Sequence, residues 1–173
     1  LNSTDNIIIS SFINIAAVGL YSNYLMITNA IVTMMNLFFS SFTASIGNLN
    51  VTETNNKKEF IFRCLNFLNF WLYGFSAICL WVLFNPFISL WVGKEYVFED
   101  YIVALIIMNF LTQGLQNAVI LYKDACGLFW QGRYRPIMSA SLNIIISIVL
   151  VRPLGIVGVL LGTILSRFLT TWW

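Results

Sequence analysis

Amide and hydroxyl side chains recur along one face of a helix that the sequence predicts in the first third of the chain. The set is spaced alternately by four and three residues and consists of Asn29, Thr33, Asn36, Ser40, Thr43 and Gly47. Amide groups both donate and accept hydrogen bonds, so such a face suits ligands that are rich in hydroxyl groups. Contact with lipid would waste these groups, and we therefore expect the stripe to face the inside of the protein.

Three later segments repeat the pattern at helical spacing. They contain Asn66, Asn69, Tyr73 and Ser76, then Asn109, Gln113, Gln116 and Asn117, then Ser139, Asn143 and Ser147. One interpretation is packing, because such residues hydrogen-bond between membrane helices for about 0.6 kcal/mol each. The whole set favours a hydrated central cavity, because amide stripes of full membrane depth are hard to satisfy without water. The residues expected to line it are Asn29, Thr33, Asn36, Thr43, Asn69, Gln113, Gln116 and Asn143.

Charged side chains near the predicted membrane are few, and two interpretations are open for each. Asp5 stands at the edge of the first apolar run, where a carboxylate is either a candidate ion or proton site or already outside the hydrocarbon. Asp124 is the second candidate for ion coupling, and it and its neighbour Lys123 form either a pair at the rim or the mouth of the cavity. The arginines and Lys123 either set the topology or bind phosphate, for which a guanidinium is well suited; these residues are Arg63, Lys123, Arg133 and Arg135.

The elements that must position these residues are membrane helices. Segment 6–52 has no charged residue, yet as one helix it would be about 70 Å long, against about 30 Å for the hydrocarbon core of a bilayer. It must therefore fold back on itself. Charged residues make up only 9% of the chain, against about 25% in an ordinary globular domain. These features predict an all-α protein, a polytopic transmembrane helix bundle.

Polar and turn-forming residues divide the chain into six predicted helices or part-helices. Their ranges are 1–17, 23–48, 60–84, 100–122, 136–151 and 155–172. The first break is placed at 18–23, where a Gly and an Asn tolerate a turn, and Asn85-Pro86 is expected to end the third span. Segment 152–155 predicts a tight turn. The last helix has small residues at the spacing of a close helix crossing, namely Gly158, Gly162 and Ser166.

Lys and Arg residues are unevenly distributed between the predicted connections. The connections at 49–63 and 123–135 contain six of them, whereas those at 18–23, 85–100 and 152–154 contain two. Positively charged loops of membrane proteins remain on the cytoplasmic side. The first group is therefore expected to be cytoplasmic and the second external.

The sequence lacks the residue patterns of common catalytic and metal sites. It contains no His, its cysteines at 64, 79 and 126 have no paired spacing, and no phosphate-binding glycine loop follows a predicted strand. We expect a protein that is not an enzyme and that binds no metal or cofactor. A net charge of +2 without basic clusters indicates no nucleic-acid partner. Leu1 and the final Trp172-Trp173 pair indicate a piece of a longer protein.

A series of short motifs along the chain resembles a known membrane-protein family. In order they are TDNIIIS at 4–10, VGLYSNY at 18–24, ASIGNL at 44–49, PFISLWVG at 86–93, GLF at 127–129, LGIVG at 154–158 and GTILS at 162–166. Together these motifs resemble the polysaccharide repeat-unit flippases, which belong to the multidrug/oligosaccharidyl-lipid/polysaccharide exporter superfamily. The resemblance covers essentially the whole chain.

The resemblance implies two six-helix bundles that face each other across a central cavity, with this chain forming part of the second, MATE-like half. The implied substrate is an undecaprenyl-pyrophosphate-linked oligosaccharide, moved across the bacterial cytoplasmic membrane for surface polysaccharide synthesis. The implied partners are membrane lipid, this substrate and the remaining half of the transporter. A cation-coupled multidrug exporter of the same superfamily and a non-transporting membrane scaffold remain as alternatives.

Overall fold

Helices form all the regular structure in the part of the chain that the computed structural model describes, residues 2–128, 130 and 132–171, with only the backbone described at 2, 3 and 171. The helices are α1 (Asn2–Phe12), α2 (Ile15–Ser40), α3 (Thr43–Thr52), α4 (Asn55–Trp91), α5 (Asp100–Leu115), α6 (Asn117–Ala125), α7 (Arg135–Leu154) and α8 (Ile156–Thr171). Within these residues, four helical stretches are long and apolar enough to cross a membrane: Ile15–Thr52, Asn55–Trp91, Asp100–Ala125 and Arg135–Leu154. The predicted all-α helix bundle is confirmed.

Two of the long stretches consist of consecutive helices. Helices α2 and α3 are separated by Ser41 and Phe42, and α5 and α6 by Gln116 alone. The 37 residues of α4 make a helix of about 55 Å, which is longer than the hydrocarbon core of a bilayer, about 30 Å. Its first turns carry ion pairs of Lys57 with Glu53 and of Arg63 with Glu59. This charged start of α4 therefore projects beyond the hydrocarbon.

The predicted break at 18–23 is wrong, because these residues lie inside α2. The chain breaks earlier, at Ile13 and Asn14, where the Asn14 side chain accepts a hydrogen bond of 2.6 Å from the Ala17 N–H and caps α2. Gly and Asn permit a turn but do not require one. A helix in lipid keeps its backbone hydrogen bonds unless other groups replace them.

The predicted helix end at Asn85-Pro86 is also wrong, since α4 continues to Trp91. Proline removes one donor from the helix ladder, and membrane helices tolerate this when neighbouring groups support the freed backbone. The segment 87–91 is therefore the last part of α4. Four residues that the sequence analysis used lie outside the described part of the chain: Leu1, Phe129, Trp172 and Trp173.

Helices α7 and α8 form a tight antiparallel pair. They are joined at Gly155, which has a φ of 56°. A Cβ atom on Gly158 would collide with the backbone carbonyl of Leu150, and one on Gly162 would collide with the Ser147 hydroxyl. The close helix crossing predicted from these glycines is confirmed.

A polar network ties α2 to the loop between α4 and α5. The buried Tyr24 hydroxyl donates to Asn85 Oδ1 at 3.0 Å and accepts from the Phe98 N–H at 3.0 Å. The Asn85 amide in turn donates to Asp100 Oδ1 at 2.9 Å. The network fixes this end of the bundle.

The basic residues gather at the opposite end of α4. The Tyr122 hydroxyl of α6 donates to the Lys58 carbonyl at 3.3 Å, and the ring of Tyr122 contacts that of Phe62. The end of α6 therefore lies beside the start of α4. We call this region the basic end, and it contains Lys57, Lys58, Arg63, Lys123, Arg133 and Arg135.

Candidate functional site

A carboxylate is buried where α1 packs against α7 and α8. The Asp5 side chain is only 1% exposed, and its oxygens lie 3.0 and 3.1 Å from the Thr163 hydroxyl. The Asn143 amide donates to the same hydroxyl at 2.8 Å. A hydroxyl has a single proton, so Thr163 can donate to only one oxygen at a time. The carboxylate of Asp5 therefore keeps unused acceptor capacity.

The groups around Asp5 are polar. The Thr163 hydroxyl also lies 3.2 Å from the Val159 carbonyl oxygen, and the buried Asn143 Oδ1 has no hydrogen-bond partner among the described residues. Carboxylate, hydroxyl, amide and carbonyl oxygens are the ligands that hard cations prefer. In the described chain no three His, Cys, Asp or Glu side chains come together as a metal group. The cluster of Asp5, Asn143 and Thr163 can accept a proton or hold a small hard cation.

The Asp5 cluster contacts α8 near the middle of that helix. Thr163 is about 12 Å along α8 from Gly155, and Asn109 is about 14 Å along α5 from Asp100, by the rise of a helix. Both distances are close to half of a hydrocarbon core of about 30 Å. An ionisable group at such a depth is a functional candidate by default. The structure thus favours the interpretation of Asp5 as an intramembrane group.

A buried arginine lies one helical turn from Thr163. The Arg167 side chain is 7% exposed and donates to the Asn109 carbonyl at 2.7 Å and to Gln113 Oε1 at 3.3 Å. The Asn109 amide donates to the Leu160 carbonyl at 3.2 Å, which holds α5 against α8. In the described part of the chain, Arg167 has no carboxylate within ion-pair distance. It is nevertheless close enough to Asp5 for the two charges to interact.

A small polar cavity separates α2 from this arginine. Its volume is about 20 Å³, and its polar lining consists of Tyr21, Thr28, Asn29, Asn109, Gln113 and Arg167. That volume is enough for one water molecule. Two of the predicted stripe residues, Asn29 and Gln113, are therefore brought together from α2 and α5.

The other predicted stripe residues do not share one surface. Thr33 and Asn36 are exposed on α2, and Thr43 is half-buried at the start of α3. Asn69 is fully buried and donates to the Gly114 carbonyl at 2.9 Å, so it holds α4 against α5. Asn143 belongs to the Asp5 cluster. Asn69 is therefore a helix-packing residue, whereas the stripe residues Thr33 and Asn36 of α2 are exposed.

The basic residues proposed for phosphate have different surroundings. Arg63 pairs with Glu59 at 2.7 Å, and Lys123 pairs with the exposed Asp124 at 3.6 Å. Gln116, predicted to line the cavity, instead accepts from Arg135 at 2.7 Å.

Arg133 stacks on an aromatic ring. Its guanidinium lies 3.5 Å from the centre of the Trp130 ring, and Arg133 also donates to the Tyr134 hydroxyl at 2.7 Å. Stacking leaves the edge of a guanidinium available for an anion.

An apolar groove of about 560 Å³ runs between α2 and α4. Met26, Met34 and Phe75 lie along it, and Trp91 stands at the end of α4. Flexible methionines adapt to irregular apolar partners. One wall of the groove is α2, the helix that also carries the exposed polar stripe.

Sequence reasoning missed Arg167 as a site residue. Its position in the sequence nevertheless carries a signal. Arg167 follows Thr163 by four residues and Ser166 by one, so it lies on the polar, protein-facing side of α8. An arginine on a lipid-facing side would instead extend to the membrane surface.

The structure defines a multi-pass α-helical membrane protein with a polar site among its helices. No protein-family model, curated protein or solved structure matches the chain.

Proposed function

We propose that the chain is part of a flippase that moves undecaprenyl-pyrophosphate-linked oligosaccharides across the bacterial cytoplasmic membrane. The observation that carries this proposal is the buried Asp5 cluster, with Arg167 linking its surroundings to the amide of Gln113. A scaffold has no use for a carboxylate at this depth, because its burial opposes folding unless it is paired. A transporter uses such a group to bind a coupling ion.

In the proposed transport mechanism, the coupling ion binds at Asp5. The proposed ligands are the Asp5 carboxylate and the Thr163 hydroxyl, with the Val159 carbonyl next to them. Either a proton or a small hard cation would satisfy the acceptors that Thr163 leaves open. Binding at this point, where α1 meets α7 and α8, can shift the balance between two arrangements of the helices.

In this proposal the sugar binds to the exposed polar stripe of α2. Asn36 is exposed on α2, Thr33 and Thr43 extend the same stripe, and Asn29 and Gln113 line the small cavity beside it. Amides satisfy sugar hydroxyls because they donate and accept hydrogen bonds. We reassign Asn69 and Asn143 from sugar binding to helix packing and to the ion site, since both are fully buried.

The pyrophosphate contacts belong to the basic end. Arg133, whose guanidinium is stacked on Trp130, is the strongest candidate, and Arg63, Lys123 and Arg135 supply further positive charge. A planar guanidinium binds phosphate oxygens through two parallel hydrogen bonds. The apolar groove between α2 and α4 suits the polyprenyl chain, so one helix would contact both parts of an amphiphilic substrate.

A cation-coupled multidrug exporter of the same superfamily is the second candidate. The Asp5 cluster and the apolar groove support it equally. The exposed amides of α2 favour the sugar substrate, because an apolar drug leaves them without partners.

Deletion in the native host tests the proposed substrate. We expect lipid-linked repeat units to accumulate on the cytoplasmic leaflet and surface polysaccharide to be lost. The full-length protein should restore both, and it should also flip extracted lipid-linked oligosaccharide in proteoliposomes. Normal surface polysaccharide in a deletion strain without a second flippase would rule out this function, and export of apolar cations by the same proteoliposomes would support the drug exporter.

A further inference from the structure

Arg167 stands between the two parts of the proposed mechanism. On one side it donates to Gln113 Oε1, and Gln113 lines the small polar cavity together with Asn29. On the other side, Thr163 lies one turn away on the same face of α8 and contacts Asp5. Residues four apart on a helix have Cβ atoms about 6 Å from each other, which is within the reach of an arginine side chain. A rotation of this one side chain can therefore exchange Gln113 for Asp5.

Both charges have unused hydrogen-bonding capacity in the present arrangement. A guanidinium has five N–H donors, and the described contacts of Arg167 use only those to Asn109 and Gln113. The Asp5 carboxylate has the side chains of Thr163 and Asn143 as hydrogen-bond partners, which leaves part of its acceptor capacity open. A buried carboxylate is stabilised by pairing with a cation, so Arg167 and a coupling ion would compete for Asp5.

A small polar cavity lies beside the two hydrogen-bond partners of Arg167. Its volume of about 20 Å³ adjoins Arg167, and the buried Asn109 Oδ1 has no partner among the residues described. The titratable or charged groups that face Asp5 are Tyr21 from α2 and Arg167 from α8, whereas α7 presents the neutral Asn143. Arg167 is thus the one cation of the described chain that is placed to replace an ion at Asp5.

We propose that Arg167 is a positioning residue that couples ion binding at Asp5 to substrate binding at Gln113. When the ion is bound, Arg167 stays on Gln113 Oε1 and directs the amide N–H groups of Gln113 towards the sugar. When Asp5 is empty, Arg167 turns to the carboxylate and Gln113 loses its orientation. The ion therefore strengthens substrate binding, and by linkage the substrate strengthens ion binding by the same factor. This inference rests on the proposed flippase function.

The test measures this linkage at equilibrium in the purified full-length transporter. Binding of lipid-linked oligosaccharide extracted from the host is titrated with and without Na⁺ at fixed pH, and at two pH values without Na⁺. For the wild type we expect either Na⁺ or the change of pH to alter the affinity for the lipid-linked oligosaccharide by about fivefold or more. Arg167→Gln should bind the substrate with an affinity that changes by less than about twofold under the same conditions, and Arg167→Lys should keep part of the change.

Two outcomes separate this inference from the proposed function. If Arg167→Gln responds to the ion as strongly as the wild type does, Arg167 is only a packing residue and the coupling proposal is overturned. If no substrate binds, the proposed function itself fails. If Asp5→Asn binds the substrate and keeps the full ion response, the ion binds elsewhere and the coupling proposal is overturned. A wild type that binds substrate without any response to Na⁺ or pH also overturns the coupling. A general loss of folding would appear as loss of the thermal transition of the Arg167 variants, and Arg167→Lys is included because it keeps the buried charge.

Discussion

The polar stripe of α2 and the Asp5 cluster contain similar residue types, but their surroundings differ. On α2, Asn36 and Thr33 are exposed, and the Thr33 hydroxyl bonds only to the backbone of its own helix. In the cluster, Asp5, Asn143 and Thr163 are buried and connect three different helices. The first surface is open to a partner, whereas the second is already assembled.

The comparison shows how burial separates two roles that helical spacing cannot distinguish. A stripe that is open in the chain can bind a ligand at little cost to the fold. A cluster that connects helices contributes to their packing, so its substitution alters stability as well as any ion site. Where the chain offers both, a buried residue can be tested against an exposed residue of the same type as its control.

The largest effect on stability is expected for alanine at the α7–α8 crossing. Gly158→Ala places a methyl group against the Leu150 backbone, which cannot move aside as a side chain can. We expect destabilisation of about 1–3 kcal/mol. Gly19→Ala is the matched control, because no atom lies within 4 Å of its Cβ position; the glycine penalty of a helix interior predicts a gain of about 0.5–1 kcal/mol. Thermal unfolding in detergent measures both, and equal values for the two variants would contradict the close crossing.

At the basic end, the expected effect is on substrate affinity. Arg133→Gln removes a charge-assisted hydrogen bond worth about 1.5–3 kcal/mol, which corresponds to a loss of about ten- to hundredfold in affinity for the lipid-linked oligosaccharide. Arg133→Lys should lose the part that depends on two parallel hydrogen bonds. Arg152→Gln, exposed at the other end of α7, is the control and should bind normally. Equal losses for Arg133→Gln and Arg152→Gln would show a general charge effect instead of a phosphate contact.

A smaller effect on stability is expected from the buried asparagine of α4. Asn69→Leu removes the hydrogen bond to the Gly114 carbonyl, and membrane hydrogen bonds of this kind contribute about 0.6–1.7 kcal/mol. Asn66→Leu changes an exposed residue of the same helix and should have no measurable effect. Thermal unfolding of both variants decides the question. If Asn66→Leu is the more destabilising of the two, the assignment of Asn69 to the α4–α5 contact is incorrect.

The smallest effect on stability is expected on the open stripe. Asn36→Ala should change the free energy of unfolding by less than about 0.5 kcal/mol, because the side chain is exposed. Binding of lipid-linked oligosaccharide should nevertheless weaken, since a sugar contact is lost. A variant that unfolds more easily but binds the substrate normally would remove Asn36 from the proposed sugar face.

Much of the fold follows from hydrophobic and charge patterns. The helix bundle and the α7–α8 crossing were predictable, because long apolar runs and the Gly158–Gly162 spacing are local features. The break before α2 was not predictable from Gly19 and Asn23, since the deciding interaction is the Asn14 cap on Ala17. For α4, the sequence marks Pro86 but does not show that the helix continues past it.

The candidate site was predictable only in part. Asp5 was identified because a carboxylate beside an apolar run is rare, but its partners Asn143 and Thr163 come from the other end of the chain. The amides of Asn69 and Asn36 look alike in the sequence, and only the packing of α4 against α5 distinguishes them. Helical spacing predicts on which face of a helix a residue lies, whereas the tertiary fold determines what that face contacts.

Ion-driven flipping in proteoliposomes tests the role of Asp5 most directly. The full-length protein, Asp5→Asn and the rim control Asp124→Asn are compared with and without an imposed Na⁺ or proton gradient. We expect one gradient to accelerate flipping of lipid-linked oligosaccharide by the wild type and by Asp124→Asn, and to have no effect on Asp5→Asn. Equal acceleration of Asp5→Asn and the wild type by that gradient would contradict the assignment of the Asp5 cluster as the ion site.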